Sequence, residues 1–198
     1  MVAAGRAGGP IVIVGVGALG SHVVLFLRSV GVPLEVIDFD RVEQKNTLAQ
    51  LHGKSAVGKN KAVALQQLMV AVFGVKIGAV PHKLTGDNAA ALLAKASLVV
   101  DCTDNGAARR AIQAEVRRLG VPCVHGALSA DGAFARVVWD ERFVADDASP
   151  DTGATCEDGA RLPFFALAAA QVALAVQRYV ESGVRTSVQL TATSLVTF

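Results

Sequence analysis

The stretch Ile11-Val-Ile-Val-Gly15-Val-Gly17-Ala-Leu-Gly20 decides the fold of this 198-residue chain. Its four apolar residues predict a buried strand, and its glycines lead into a predicted helix over residues 19–30. Glycines at such a junction let the backbone approach a phosphate group, which the N–H groups and the dipole at the start of the helix attract. The stretch therefore favours a nucleotide-binding α/β fold.

The rest of the chain repeats this order of strand and helix. Apolar runs and helical periodicity predict further strands over 34–38, 75–84, 98–101 and 121–125, and helices over 57–73, 88–96 and 107–119. The Asp131-Gly132 turn leads into a strand over 133–139, and alternation over 184–198 predicts terminal strand pairing. We therefore expect a Rossmann-like α/β fold, with a doubly wound, mainly parallel sheet and antiparallel C-terminal strands.

The length predicts one domain over residues 1–198. Within it, a polar segment at about 140–161 has little periodicity and predicts a long crossover loop. The following apolar stretch, residues 162–176, is interrupted by Gln171 and is shorter than the roughly 20 residues of a membrane span. It predicts a buried helix that ends at about residue 179, and no membrane partner.

Composition limits the classes of partner and cofactor. The 19 basic and 17 acidic residues form no basic block, so nucleic acid is not favoured. Hydrophobic residues make up 52% of the chain, which suits a buried interface and favours a homo-oligomer. The first ten residues lack the apolar stretch of a signal peptide, so we expect a cytoplasmic protein. We expect no zinc or disulfide, because three cysteines stand far apart: Cys102, Cys123 and Cys156.

The second predicted strand ends in a carboxylate that suits a nucleotide. Asp38 follows Gly20 by 18 residues, about where a carboxylate accepts a hydrogen bond from a ribose hydroxyl. A solvated aspartate at a strand end is the alternative interpretation. To this point a nicotinamide enzyme fits the sequence as well as an ATP enzyme.

The residues after Asp38 favour ATP over a nicotinamide cofactor. A plain dinucleotide domain has no particular use for the polar residues that follow: Asp40, Asn46, Gln50 and Lys61. A lysine near a helix start can neutralise a triphosphate, and Asp104 after a later strand can hold the Mg²⁺ that makes pyrophosphate a leaving group. Alternatively, Lys61 is a solvated helix lysine, and Asp104 only caps the helix that begins near residue 107.

Four segments together resemble the ThiF/MoeB/HesA family, the bacterial relatives of ubiquitin-activating enzymes. Residues 36–62, VIDFDRVEQKNTLAQLHGKSAVGKNKA, resemble its D-x-D-x-V-x-x-x-N-x-x-x-Q and G-x-x-K-A motifs. DCTDNGAARR at 101–110 resembles D-x-x-D-N-x-x-x-R, and GALSADGAFARVVW at 126–139 resembles its G-A-x-x-x-x-G strand pair. Residues 156–180 resemble the segment after its crossover loop, so the likeness covers roughly residues 10–182.

The resemblance implies adenylation of the C-terminal glycine carboxylate of a small ubiquitin-like sulfur carrier protein, with ATP and Mg²⁺. It also implies ligands for the nucleotide and the metal: Gly15, Gly17, Gly20, Asn46 and Lys61 for phosphates, Asp38 for the ribose, Asp104 for Mg²⁺, with Asp40 and Gln50 in the same segment. Arg109 matches the arginine after the D-N pair and would stabilise the loop or contact the ligand. Cys156 lies near the cysteine that bonds covalently with the carrier in some relatives, and an unreactive loop thiol is the alternative.

This chain departs from the family pattern at two sites of positive charge. Ala49 stands where the family has an arginine before Gln50. The N-terminal helix that lends an arginine to the neighbouring site in dimeric relatives has no counterpart, since the first strand begins by residue 11 and only Arg6 precedes it. A silent subunit that binds nucleotide beside a complementing partner is therefore an alternative, as is an NAD(P)-dependent oxidoreductase. For an oxidoreductase of the common short-chain dehydrogenase type, the chain lacks the Tyr-x-x-x-Lys pair, because Tyr179 is its one tyrosine.

Overall fold

A computed structural model describes residues 8–145 and 159–198, and its centre is one eight-stranded sheet. Five parallel strands come first in the chain: β1 Ile11–Val14, β2 Leu34–Ile37, β3 Gly78–Val80, β4 Leu98–Asp101 and β5 Cys123–Leu128. Three antiparallel strands follow: β6 Ala135–Trp139, β7 Val188–Leu190 and β8 Leu195–Thr197. The spatial order is β3-β2-β1-β4-β5-β6-β7-β8, which confirms the predicted mainly parallel sheet with an antiparallel end.

Helices cover both faces of the sheet. They are α1 Gly20–Leu27, α2 Lys61–Phe73, α3 Ala89–Leu93, α4 Gly106–Leu119 and α5 Leu162–Ser182. Short 3-10 turns occupy Gln44–Leu48, Lys54–Ala56 and Asp140–Arg142. One apolar core joins α1, α2 and α5 to the sheet, and a second joins α3 and α4 to its other face. Because β1 and β4 are buried on both faces, their residues are apolar except for Asp101 at the end of β4.

The strand order places a crevice at the carboxyl ends of β1 and β4. From β1 the chain winds outward through β2 and β3 in one direction, and from β4 through β5 in the other. In doubly wound sheets, ligands bind where the winding direction reverses. The loops after β1, β2 and β4 meet at this edge, and they carry most of the predicted site residues.

Some element boundaries differ from the prediction for local reasons. Helix α2 begins at Lys61 instead of residue 57, because Gly58 has a φ of +87° and the Asn60 side chain caps the helix by accepting from Val63 N–H at 3.1 Å. Strand β3 has three residues, and Pro81, which lacks an N–H donor, follows it. Local chemistry therefore shortens two elements whose existence the pattern predicts.

Helix α5 is longer than predicted, since it runs 21 residues to Ser182 and stops before Gly183, whose φ is +74°. By length and composition it meets the requirement for a membrane span. Nine of its residues are nevertheless buried, and it packs on α1, β5 and β6 as a core helix. Strands β7 and β8 extend the sheet and leave Leu167 and Leu174 on α5 each 40% exposed.

The predicted loop at 140–161 is described only at its ends. It opens with the 3-10 turn Asp140–Arg142, and its last residues lead into α5. Residues 146–158, and with them the candidate thiol Cys156, lie outside the described residues.

Candidate nucleotide site at the carboxyl edge of the sheet

The three glycines after β1 have different surroundings. Gly15 has a φ of +85°, and a Cβ atom there would lie 3.0 Å from the carbonyl oxygen of Cys102. A Cβ atom at Gly20 would overlap the carbonyl oxygen of Gly15, so the helix can pack against the loop only with glycine there. At Gly17 the nearest atom would be Nε2 of Gln50, at 3.8 Å. Gly15 and Gly20 are thus needed for the turn and its packing, whereas Gly17 leaves the backbone accessible to a ligand.

This difference predicts opposite outcomes for two alanine substitutions. We expect Gly20→Ala to destabilise the protein by about 1–3 kcal/mol or more, because the new methyl group has no space. We expect Gly17→Ala to keep its melting temperature but to weaken ATP binding about tenfold or more, because the methyl group would keep a phosphate away from the backbone. Thermal unfolding and calorimetry with ATP measure both effects. Wild-type ATP affinity in Gly17→Ala would contradict the assignment of the loop.

Asp38 lies directly beside the glycine loop. Its Oδ2 accepts from Val16 N–H and its Oδ1 from Asp40 N–H, both at 2.8 Å. Burial raises the pKa of Asp38, against the effect of these two hydrogen bonds and of the nearby Lys61. Each carboxylate oxygen can accept more than one hydrogen bond, so Asp38 can also receive a ribose hydroxyl.

Lys61 is held at the first turn of α2 by the same loop. Its Nζ lies 3.4 Å from Oδ2 of Asp40, and its backbone N–H donates to the Asp40 carbonyl at 2.8 Å. Asn60 joins the two segments, because its Nδ2 donates to the carbonyl oxygens of Asp38 and Asp40. Sequence analysis missed Asn60 as a site residue, although its position just before a helix is a capping signal. The Lys61 side chain is 10% exposed and that of Asp40 is 49% exposed, so the ammonium lies in a half-enclosed position with one carboxylate beside it.

The segment from Asn46 to His52 packs on the glycine loop. Asn46 is buried, and its Oδ1 accepts from Glu43 N–H at 2.8 Å and organises the 3-10 turn there. Ser21 donates to the Gly17 carbonyl at 2.6 Å and accepts from Leu51 N–H at 3.0 Å. Ser21 ties the segment to α1, a contact that no sequence pattern indicated.

Two buried polar atoms beside the loop lack hydrogen-bond partners within the described ranges. They are Oε1 of Gln50 and Nδ1 of His52. Burial lowers the pKa of His52, so its ring is neutral, and Nε2 donates to the Val16 carbonyl at 3.1 Å. Buried polar groups without partners are uncommon in native proteins and often indicate a missing ligand. Both residues flank Val16 and Gly17, so the loop suits a ligand with polar groups.

Ala49, which replaces the family arginine, is buried in the apolar core beside α1 and α2. The apolar surroundings of this position explain why it carries no arginine, because a buried guanidinium would lack a partner among apolar side chains. Lys61 is the cation that the described residues place next to Asp38 and Asp40.

Asp104 lies in the loop after β4, and its carboxylate is exposed without a hydrogen bond or ion pair to any described residue. The cap of α4 is the neighbouring Asn105, whose Oδ1 accepts from Ala108 N–H at 3.1 Å. The alternative that Asp104 serves as the helix cap is therefore wrong. A solvent-facing carboxylate at this edge is available to a ligand or a cation.

Arg109 contacts the loop that carries Asp104. Its Nε and Nη2 donate to the Thr103 carbonyl at 2.9 and 2.5 Å, and Nη2 lies 3.4 Å from the Gly126 carbonyl. This geometry matches the first of the two roles expected for Arg109, stabilisation of the loop. A contact with the nucleotide stays a prediction.

The donor set suits Mg²⁺ bound together with a nucleotide. Among the residues that the structure describes, no three His, Cys, Asp or Glu side chains form a group that would hold a metal ion by themselves. Mg²⁺ commonly binds through one or two carboxylates plus substrate phosphates and water, and Asp104 provides one carboxylate. The expected absence of zinc stays a prediction.

Comparison with curated proteins finds adenylyltransferases. The sulfur carrier protein adenylyltransferase of Thermus thermophilus is 37% identical over 121 residues, 60% of this chain and 45% of that protein. For the molybdopterin-synthase adenylyltransferase of Escherichia coli the values are 37% over 121 residues, 59% and 48%. The adenylyltransferase and sulfurtransferase UBA4 of Candida albicans is 31% identical over 159 residues, 75% of this chain and 36% of that protein. The chain thus spans 36–48% of the length of these curated relatives.

Solved structures and a family model match almost the whole chain. Escherichia coli MccB, solved with ATP, has a TM-score of 0.77 over 96% of this chain and 62% of that one, at 16% identity, which shows a shared fold. PaaA has a TM-score of 0.74 over 96% of this chain and 62% of that one, at 17% identity. A model of the ThiF family matches residues 9–194. Because this match covers nearly all 198 residues, the chain belongs to the ThiF family.

Proposed function

We propose that this chain is an ATP-dependent adenylyltransferase that activates the C-terminal glycine carboxylate of a ubiquitin-like sulfur carrier protein ending in Gly-Gly. The observation that carries the proposal is the meeting of three loops at one sheet edge. The glycine loop and Asp38 suit a nucleotide, Lys61 adds a half-enclosed cation, and Asp104 adds a carboxylate without a partner among the described residues. A domain that only binds a dinucleotide does not need Lys61 or Asp104 for that purpose.

The chemistry follows from these positions. A carrier carboxylate oxygen attacks the α-phosphorus of ATP, the bond from that phosphorus to the bridging oxygen breaks, and pyrophosphate leaves with the electron pair. Gly17 lets the phosphates approach the start of α1, Asp38 orients the ribose, and Lys61 offsets the charge on the phosphates. Asp104 would hold Mg²⁺, which supplies Lewis-acid stabilisation of the leaving group. Asn46 would lie near the phosphates, as the family resemblance implies, and Gln50 belongs to the same nucleotide-binding segment.

The names of the relatives support this substrate class over the alternatives. The Thermus thermophilus relative is a sulfur carrier protein adenylyltransferase, and the Escherichia coli relative a molybdopterin-synthase adenylyltransferase. Neither a nicotinamide oxidoreductase nor a silent subunit is favoured. Covalent chemistry at Cys156 stays a proposal, because that residue lies outside the described residues.

We further propose a cytoplasmic protein that works as a homodimer or with a complementing subunit. Leu167 and Leu174 on α5 and Phe26 on α1 leave about two fifths of their apolar surface in solvent, on helices that pack against each other. Subunit association commonly covers such surface.

Pyrophosphate–ATP exchange tests the proposed function directly. We expect exchange that requires Mg²⁺ and a carrier with a free C-terminal Gly-Gly carboxylate. The matched control is the same carrier with a C-terminal amide, which lacks the attacking oxygen and should give no exchange. We also expect MgATP at a hundred times its Kd to stabilise the protein by about 2.7 kcal/mol in a thermal shift. Stabilisation by NAD(H) and not by MgATP would overturn the proposal.

A further inference from the structure

A buried polar cluster lies beneath α4, outside the residues that would touch the nucleotide. His125 of β5 is at its centre, with Nδ1 2.8 Å from Oδ2 of Asp101 and Nε2 3.2 Å from Oδ1 of Asp140. A neutral imidazole has one N–H and would leave one carboxylate facing a ring lone pair. The geometry therefore calls for the doubly protonated imidazolium, which bridges the end of β4 to the turn after β6.

The surroundings of the ring favour this charge. Burial opposes it, but the Cys123 sulfur and the hydrogen bonds to Asp101 and Asp140 prevail and raise the pKa of His125 to about 11. Burial also opposes ionisation of Asp140, yet His125, Arg117 and Gln113 lower its pKa to about 2. The folded pKa of His125 exceeds its ordinary value of 6.5, so this contribution to stability is complete below about pH 6.5 and is lost progressively as pH rises from there to about 11.

Neighbouring elements hold the other side of the cluster. Arg117 of α4 donates through Nε to Asp140 Oδ2 at 2.7 Å, and Gln113 donates to Oδ1 at 3.1 Å. The Phe143 ring stacks on His125 with centroids 3.8 Å apart. Arg109 stabilises the Asp101 carboxylate through their charges. The bridge is therefore fixed from β4, β5, α4 and the turn after β6.

Asp101 connects the His125 bridge to Asp104, the carboxylate that would hold the metal. While its Oδ2 faces His125, its Oδ1 accepts from Thr103 N–H at 2.9 Å and from Thr103 Oγ1 at 2.7 Å. Asp104 is the next residue, and its own side chain has no partner in the described part of the chain. The position of Asp104 thus depends on a turn whose anchor, Asp101, is oriented by His125.

We propose that His125 is a positioning residue, which locks the Asp101–Thr103 turn and thereby fixes Asp104 for its Mg²⁺–nucleotide ligand. The proposal rests on the function proposed above, in which Asp104 holds the metal. It predicts that loss of the bridge weakens the binding of MgATP and leaves the affinity for metal-free ATP unchanged. A purely structural role for His125 would change both affinities together, or neither.

The test compares three variants of the full chain by calorimetry with ATP, with and without Mg²⁺. We expect His125→Gln to lose about tenfold to 100-fold of its affinity for MgATP, the usual cost of removing an outer-shell partner, and to bind metal-free ATP like the wild type. Thr103→Val breaks the same chain of contacts in a more exposed place and should show a smaller loss of the same kind. Thr191→Val is the matched control for Thr103→Val, since Thr191 Oγ1 hydrogen-bonds only within the turn between β7 and β8, at the end of the sheet away from β4.

Two further measurements separate the possible outcomes. Nitrogen-15 NMR of histidine-labelled wild type at pH 8 should show both His125 ring nitrogens protonated, and a neutral ring would overturn the bridge. If wild type binds MgATP and both His125→Gln and Thr103→Val keep the full gain from Mg²⁺, the positioning role is wrong and the proposed function stands. If His125→Gln fails to fold, Thr103→Val decides alone. A wild type that does not bind MgATP overturns both proposals.

Discussion

Replacing Asp104 with alanine is expected to reduce pyrophosphate exchange about 100-fold or more while leaving the fold intact. The carboxylate is exposed and makes no hydrogen bond or ion pair with the described residues, so its removal should change stability by less than about 0.5 kcal/mol. Its proposed role is to hold the metal that stabilises the leaving group, a contribution of several kcal/mol to the barrier, and about 1.4 kcal/mol corresponds to each tenfold in rate. Exchange kinetics across a Mg²⁺ titration, with thermal unfolding alongside, measure both quantities.

The matched control for this substitution is Asp87→Ala. Asp87 is also an exposed loop aspartate, but it follows the edge strand β3, two strands away from β1. It should leave both exchange and stability unchanged. Wild-type exchange in Asp104→Ala would remove this residue from the site.

Lys61→Ala is expected to have a comparably large effect, through the phosphates instead of the metal. With Ala49 buried in the core, Lys61 is the cation beside Asp38 and Asp40, so the alanine variant should lose most ATP-dependent stabilisation and about 100-fold in exchange. The cost in stability should be small, because the ion-pair partner Asp40 is half exposed. Calorimetry with MgATP and exchange kinetics provide the readouts.

Lys59→Ala is the control for charge in the same segment. Lys59 is exposed, lies two residues before Lys61, and its Nζ donates to Gln67 at 3.0 Å, on the outside of α2. Equal losses in Lys59→Ala and Lys61→Ala would indicate a general effect of net charge. Full ATP binding by Lys61→Ala would defeat its assignment to the phosphates.

The architecture was predictable because it depends on patterns along the chain. The bounds of β1 and β4 were predicted to the residue, since strands buried on both faces are nearly continuous apolar runs, and Asp101 is the one polar residue, at the end of β4. Boundaries were less predictable where a single residue decides them. The Asn60 cap moved the start of α2 to Lys61. Helix α5 continued to Ser182, because the residue that ends it is Gly183, whose backbone is left-handed.

The candidate site was predictable only in part. Gly15, Asp38, Lys61 and Asp104 stand at strand or helix ends, where a motif shows them. Ser21, His52 and His125 carry no such signal, because their roles come from partners 24 to 36 residues away in sequence. Such contacts arise only when parallel strands bring distant loops to one edge.

The sequence by itself determined the order of strands and helices, the glycine turn and the identity of the ThiF-like motifs, since these depend on residue type and spacing. The tertiary structure alone decided that Asn105 and not Asp104 caps α4, and that Arg109 is directed to the Thr103 carbonyl. It alone placed the His125 imidazole between two buried carboxylates. The physical reason is that a hydrogen bond or a charge interaction depends on distances of about 3 Å between side chains, which chain order does not specify.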